Sequence, residues 1–454
     1  MKLQKLERRE FLKYGLSLPL FASYLSSCKD KFIVPNGTSV IIIGAGISGL
    51  TAAKMLSENG FDVRVLEAQE KIGGRTRTNR ILGIDFDEGA SWIHGIKKNP
   101  ITDLAEKAGM LTFETVEESI VSYDIGGRKR SGSLFDSTET RFYEIMDTLT
   151  KKGNPEKSFG EVFQSNFPEY FNDRLWQFFL SAYVTFDTGD LFQLSSLLYD
   201  EGEIFGSVEK IATNGYDKIP EYLANDLDIK LNQKVTEIDY SGEKIKVTHN
   251  GKESLADRVI VTIPLGVLKN KVISFSPQLP ENKLNAIEKI GMNCVNKFLL
   301  TWEKAFWDDV QYITYTPDVP DRFNYFVNVN KYHPETNALM TFAYADAARA
   351  TEKQSDAEVI SQIMIHLKDI YGSSIPQPTQ MLRTKWGSNP NAYGAYSFTA
   401  VETEMSHFDD LAATVNQKLF FAGEHTEKDY FSTTHGAYLS GIREAEKILE
   451  IFKK

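Results

Sequence analysis

The most constraining stretch of this chain is Val40-Ile41-Ile42-Ile43-Gly44-Ala45-Gly46-Ile47-Ser48-Gly49-Leu50. Four β-branched residues in a row predict a parallel strand buried on both faces. The next six residues spell G-x-G-x-x-G. A helical pattern then runs from Ile47 to about Asn59 and stops at Gly60, and a second strand follows from Asp62 to Leu66, ending on the acidic Glu67. That is a complete βαβ unit. In such a unit Gly44 makes the tight turn, Gly46 admits a pyrophosphate to the helix N-terminus near Ser48, and Gly49 lets helix pack on strand. Glu67 follows Gly44 by 23 residues, the place of a carboxylate that accepts hydrogen bonds from a ribose. The chain is therefore expected to be an α/β protein that binds a dinucleotide.

The first residues read as an address. Lys2, Lys5, Arg8, Arg9 and Lys13 form a basic head, and residues 14–27 carry no charge. That run is shorter than the ~20 residues a membrane-spanning helix needs. Arg8-Arg9-Glu10-Phe11-Leu12 resembles a twin-arginine export motif, and Leu25-Ser26-Ser27-Cys28 resembles a lipobox. Residues 1–27 are thus expected to be an export signal, with Cys28 lipidated and the protein periplasmic or anchored on the cell envelope. Removing this segment takes away five basic and two acidic residues, moving the net charge from −11 to −14. Such acidity argues against nucleic acid as a partner and suits a cationic ligand. Cys28 and Cys294 are the only cysteines, so a lipidated Cys28 leaves no intrachain disulfide.

Downstream of the βαβ unit come Gly73-Gly74-Arg75-Thr76-Arg77 and Asp87-Glu88-Gly89-Ala90-Ser91-Trp92-Ile93-His94-Gly95. A second glycine pair beside arginines can wrap the far side of a diphosphate. Residues 97–212 break the α/β rhythm, with helical segments at 101–108 and 171–182. Strand-like pieces return at 229–231, 234–240 and 244–249, and Val259-Ile260-Val261-Thr262-Ile263-Pro264-Leu265-Gly266 is a further buried strand and turn. A second excursion covers 299–381, with alternating stretches at 322–329 and 338–344 and an amphipathic helix at 356–370. The close of the chain carries Lys385-Trp386-Gly387, Gly394-Ala395-Tyr396-Ser397, Ala422-Gly423-Glu424-His425 and Thr433-Thr434-His435-Gly436-Ala437-Tyr438. No HExxH, CxxC or G-x-S-x-G signature occurs, so no metal site is expected and a redox cofactor must carry the difficult chemistry.

Together these motifs resemble the flavin amine oxidase family, which includes monoamine oxidases, polyamine oxidases and lysine-specific histone demethylases. The likeness spans about 38 to 450, and the motifs lie nearest those of polyamine oxidases. It implies a two-dinucleotide-binding, Rossmann-like FAD domain (38–96, 213–298 and 382–454) interleaved with an α+β substrate domain (97–212 and 299–381). It implies FAD contacts at Gly44, Gly46, Ser48, Gly49, Glu67, Gly74, Arg75, Gly89, Ala90, Ser91, Trp92, Val235, Trp386, Glu424, Thr433, Thr434 and Ala437. Lys297 matches the lysine that holds a water against the flavin, Tyr396 and Tyr438 match the two rings that sandwich the substrate amine, and His94 matches a histidine that faces the substrate tunnel.

Two departures refine this reading. Ala395 stands where monoamine oxidases tether FAD through cysteine, so non-covalent FAD is expected. The Glu88-Gly89-Ala90-Ser91-Trp92 turn lacks the arginine with which amino-acid oxidases pair a substrate carboxylate. The resemblance thus implies an oxidase of polyamine-like or primary amines that passes electrons to oxygen. The alternatives are an L-amino-acid oxidase or desaturase of the same fold, or an envelope protein that binds FAD without catalysis.

Overall fold

The structure is a computed structural model that describes residue 35 and residues 37–453. The expected export signal and Cys28 lie outside the described residues. Strand β1 (Ser39–Ile43), helix α1 (Ile47–Glu58) and strand β2 (Asp62–Leu66) form where the sequence placed them. Three later strands join them: β3 (Asp228–Lys230), β4 (Arg258–Val261) and β5 (Leu419–Phe421). The sheet order is β3-β2-β1-β4-β5, parallel throughout.

Alternation along β1 explains its unbroken apolar run. Val40 and Ile42 turn to one face, where they pack with Leu50, Ala53 and Leu56 of α1. Ile41 and Ile43 turn to the other, where they meet Val235, Ile238 and Val247 of a second sheet. That sheet is formed by Lys252–Ala256, Ile245–His249, Val235–Asp239 and Ser274–Ser276. Burying each such side chain contributes about 1.5–3 kcal/mol, so both faces of β1 are committed to the core. Helix α2 (Thr434–Ile451) lies against α1. Their close approach needs Gly441, where an added Cβ would stand 2.4 Å from the Ser48 carbonyl oxygen.

The substrate side is built on a seven-stranded sheet. Its order is Gln380–Arg383, Val295–Thr301, Ala338–Tyr344, Arg322–Asn328, Tyr312–Thr316, Ile120–Asp124 and Arg128–Lys129. The helix Asp356–Tyr371, begun by a Ser355–Glu358 capping box, covers one face through Val359, Ile363 and Leu367. The other face, carrying Val295, Leu299, Phe342 and Tyr344, packs with Phe186, Trp92 and Tyr396. The expected limits at 298/299 and 381/382 therefore fall inside strands, because Val295–Thr301 and Gln380–Arg383 are paired parts of this sheet. Residues 97–212 also supply an aromatic-cored helical cap, which ends in the helix Arg174–Phe179 and a π-helix, Leu180–Thr185. Among the described residues no helix is long and apolar enough to cross a membrane.

Candidate active site

A cavity of about 540 Å³ runs from the β1–α1 turn to the cap. Its first part is a dinucleotide cradle. Gly44 has φ +109°, and a Cβ on Gly49 would stand 2.1 Å from the Gly44 carbonyl oxygen, so both positions demand glycine. Gly46 caps α1 without any side-chain hydrogen bond, and a Cβ there would meet nothing within 4 Å. The α1 N-terminus thus keeps its backbone donors for a ligand. The Ser48 hydroxyl is buried on the cavity wall with no hydrogen-bond partner. Glu67, at the end of β2, accepts from Ala45 N at 2.7 Å and Gln69 N at 2.9 Å, and burial raises its pKa. Gly73 N donates to Ala45 O at 2.8 Å, which locks the second glycine pair, and Gly74 with it, against the first turn. An orphaned hydroxyl, an uncapped helix start and a carboxylate in the ribose position fit the diphosphate and ribose of FAD.

The far wall of the cradle comes from the chain's end. Thr433 caps α2 by accepting from Gly436 N at 2.9 Å, and Thr433, Thr434 and Ala437 line the cavity. Glu424 is buried and accepts from Arg75 Nη1 at 2.8 Å, Ser397 Oγ at 2.6 Å and Ser432 N at 2.9 Å. Burial pushes its pKa up, but Arg75, His425 and Ser397 more than offset this and hold it well below the usual carboxylate range. Arg75 also donates to Ala395 O at 2.9 Å. Trp386 donates its indole N–H to Glu88 O at 2.9 Å, with the Arg77 guanidinium 5.0 Å from its ring centre. Val235, Gly89, Ala90, Ser91 and Trp92 line the same space.

Lys297 is central in the strand Val295–Thr301 and buried. Its ammonium donates to Asp87 O at 3.0 Å, Gly89 O at 2.6 Å and the Ser91 hydroxyl, and stands 5.5 Å from the Trp92 ring centre. Burial lowers the Lys297 pKa and raises that of the neighbouring Asp87. Tyr396 lines the cavity and donates its hydroxyl to Phe186 O; burial keeps it a phenol. His94 is exposed on the same wall, with Nδ1 3.0 Å from the Glu209 carboxylate.

One expected site residue is displaced. Tyr438 does not line the cavity. It is partly buried against the α1 cluster, and burial raises its phenol pKa. The reason is helical phase: Tyr438 shares its stripe with Gly441, Ala445 and Ile448, the side of α2 that packs on α1. Conversely, sequence reasoning missed Glu117, Asp187 and Glu209, and the rings of Tyr143, Tyr183, Tyr312, Tyr325 and Phe342, all on the wall. Only the aromatic stretches at 322–329 and 338–344 hinted at the last two. Cys294 is buried and lies off the cavity wall, with burial pushing its thiol up to about 12.

A dinucleotide cradle opening onto a buried lysine and an aromatic, acid-lined chamber defines the site of a flavin-type oxidoreductase. Residues 47–449 match the model of the flavin containing amine oxidoreductases, and the chain belongs to that family. It is 32% identical to "Polyamine oxidase 4" of Oryza sativa subsp. japonica, covering 90% of this chain and 88% of that one. It is 30% identical to "Lysine-specific histone demethylase 2" of Homo sapiens, covering 93% of this chain and 55% of that one. A solved structure of putrescine oxidase bound to putrescine superposes with a TM-score of 0.75 at 22% identity, over 92% of this chain and 100% of that one, which supports the fold. The chain is an FAD-dependent amine oxidase.

Proposed function

We propose that the substrate is a di- or polycationic amine and that the FAD is held without a covalent bond. The observation that carries the substrate class is the chamber wall, where Glu117, Asp187 and Glu209 stand among six aromatic side chains: Tyr143, Tyr183, Tyr312, Tyr325, Phe342 and Tyr396. Carboxylates attract ammonium groups, and ring faces bind cations and methylene chains alike. A carboxylate-bearing substrate fits poorly. The one arginine lining the cavity, among the described residues, is Arg75, which is engaged by Glu424 and Ala395 O. The likeness to the polyamine oxidase of Oryza sativa supports the same class.

Bound FAD supplies the two-electron acceptor for the C–H bond beside the amine nitrogen, with oxygen as the final acceptor, reduced to hydrogen peroxide. The imine product hydrolyses to an aldehyde and the remaining amine. The protein's part is placement and charge. Tyr396 is fixed by its bond to Phe186 O and presents its ring to the amine. The wall excludes water around the reacting carbon. Lys297 sets a buried positive charge beside Ser91 and Trp92, where it can stabilise developing negative charge.

The test is anaerobic mixing with spermine, spermidine, 1,4-diaminobutane, tyramine and L-amino acids, followed by air. Flavin bleaching by the polyamines, then peroxide, is expected; bleaching by amino acids alone would refute the reading. On the sequence alone we also propose export and lipidation at Cys28, which predict a mature N-terminus at Cys28 carrying acyl mass.

A further inference from the structure

The strand Val295–Thr301 divides its side chains between two faces of the substrate sheet. Lys297 turns to the cavity, whereas Asn296 turns to the other face and is fully buried there. Asn296 Oδ1 accepts from Trp386 N at 2.9 Å and from the Thr384 hydroxyl at 3.1 Å. The Asn296 amide donates to Glu352 Oε1 at 2.7 Å. The same oxygen accepts from Gly387 N at 2.7 Å, and Glu352 Oε2 accepts from Ser388 N at 2.7 Å. The fit is close: a Cβ on Gly387 would stand 3.0 Å from Glu352 Oε1 and 3.1 Å from Cys294 Sγ. Glu352 closes the helix Ala345–Glu352, where the carbonyl end of the helix dipole disfavours a carboxylate. Three N–H donors offset that cost, two of them from the backbone that follows Trp386. Glu352 is not on the cavity wall, yet Trp386 and residues 389–392 are.

We infer that Glu352 is a positioning residue for the cofactor: it fixes the turn Trp386–Ser388 from behind and so holds the Trp386 indole on the cradle wall. One carboxylate bound to two consecutive amides leaves that turn a single orientation. The indole N–H reaches Glu88 O at 2.9 Å, so the residue is held at both ends, its backbone by Asn296 and Glu352 and its ring edge by Glu88. Loss of the carboxylate frees the first end, because N–H groups behind the wall are then left without an acceptor. Trp386 is thus placed by a residue that never meets the cofactor.

The experiment reads FAD release from the purified holoenzyme, as the rise of flavin fluorescence after dilution. Glu352→Gln keeps the side chain's shape but sets an NH₂ group against one of the amide donors, and release should quicken about tenfold. Trp386→Phe should quicken it by a similar factor. In the double variant the two effects should overlap, giving about tenfold rather than about hundredfold, because Glu352 acts through Trp386. Ser355→Ala is the purely structural comparison. It breaks the capping box of the neighbouring helix and should lower the melting temperature while leaving release within about twofold. If Glu352→Gln does not fold, Glu352→Asp, which keeps the charge but draws it back from the amides, enters the same cycle. Unchanged release in the Glu352 variant, a loss that multiplies with that of Trp386→Phe, or an equal loss in Ser355→Ala overturns the inference.

Discussion

Replacing Glu424 with glutamine removes one charge from the wall of the cradle while keeping the side chain's shape. The carboxylate accepts from Arg75 Nη1, Ser397 Oγ and Ser432 N, so it ties the distant Arg75 turn to two neighbouring stretches of the C-terminal region. A glutamine would turn an NH₂ group toward one of these donors and leave it unpaired. Breaking a buried ion pair on one side costs about 3–5 kcal/mol. The Arg75 side chain is 22% exposed, so water softens its half, and about 2–3 kcal/mol is the expected loss. Against a total stability of about 5–15 kcal/mol this is large, and the melting temperature should fall by about 5 °C. Melting of the apoprotein by circular dichroism reads the network alone; release of flavin fluorescence from the loaded protein adds the cofactor. The sign of the pH dependence is fixed. A depressed carboxylate pKa gives stability that is complete above the ordinary carboxylate value and lost only as pH falls through the folded value. The difference between wild type and Glu424→Gln should therefore be flat from about pH 5.5 to 8. An apoprotein melting within about 1 °C of wild type, or a difference that fades by about pH 5.5, would refute the argument.

Other expectations separate roles within the site. Gly46→Ala should fold normally but bind FAD at least tenfold more weakly by fluorescence titration, whereas Gly49→Ala should destabilise the apoprotein itself, since its Cβ meets the Gly44 carbonyl. Lys297→Met should slow reoxidation by oxygen in stopped flow far more than anaerobic reduction by amine. In the wild type the reoxidation rate should fall as pH rises through a midpoint below that of a free lysine, because burial lowers the Lys297 pKa and its charge is lost sooner. Tyr438→Phe should leave kcat and KM unchanged, while Tyr396→Phe, which loses the bond to Phe186 O, should raise KM several-fold; equal effects in the two would contradict the placement of Tyr438.

The cradle was legible because its parts are local. A strand, a glycine turn, a helix and an acid within thirty residues leave one packing solution, and β1, α1 and β2 form within a residue or two of the expected bounds. Glu424, Arg75 and Trp386 could be named from motifs, but the pairing of Glu424 with Arg75 and of Trp386 with Glu88 could not, because each joins residues about 300 or more positions apart. Tyr438 shows where motif reading fails: neighbours in sequence on a helix face different ways, and its spacing of three residues to Gly441 and seven to Ala445 is the signal that assigns it to the helix contact. Asp187 gave no signal, since its exposure to the cavity depends on a π-helix, and periodicity does not distinguish one extra residue in a turn from an ordinary helical stretch.

The order of strands in the cofactor sheet has a consequence for synthesis. Strand β5 and helix α2 occupy Leu419–Ile451, whereas the seven-stranded substrate sheet is finished at Arg383. A growing chain can thus assemble its substrate half while the dinucleotide cradle still lacks the Thr433–Ala437 wall. FAD is held only after the last helix has emerged and docked on α1. Yellow colour in a preparation of this protein is accordingly a report that the C-terminal helix is present and in place, and a chain cut short before Leu419 should be colourless however well its other half has folded.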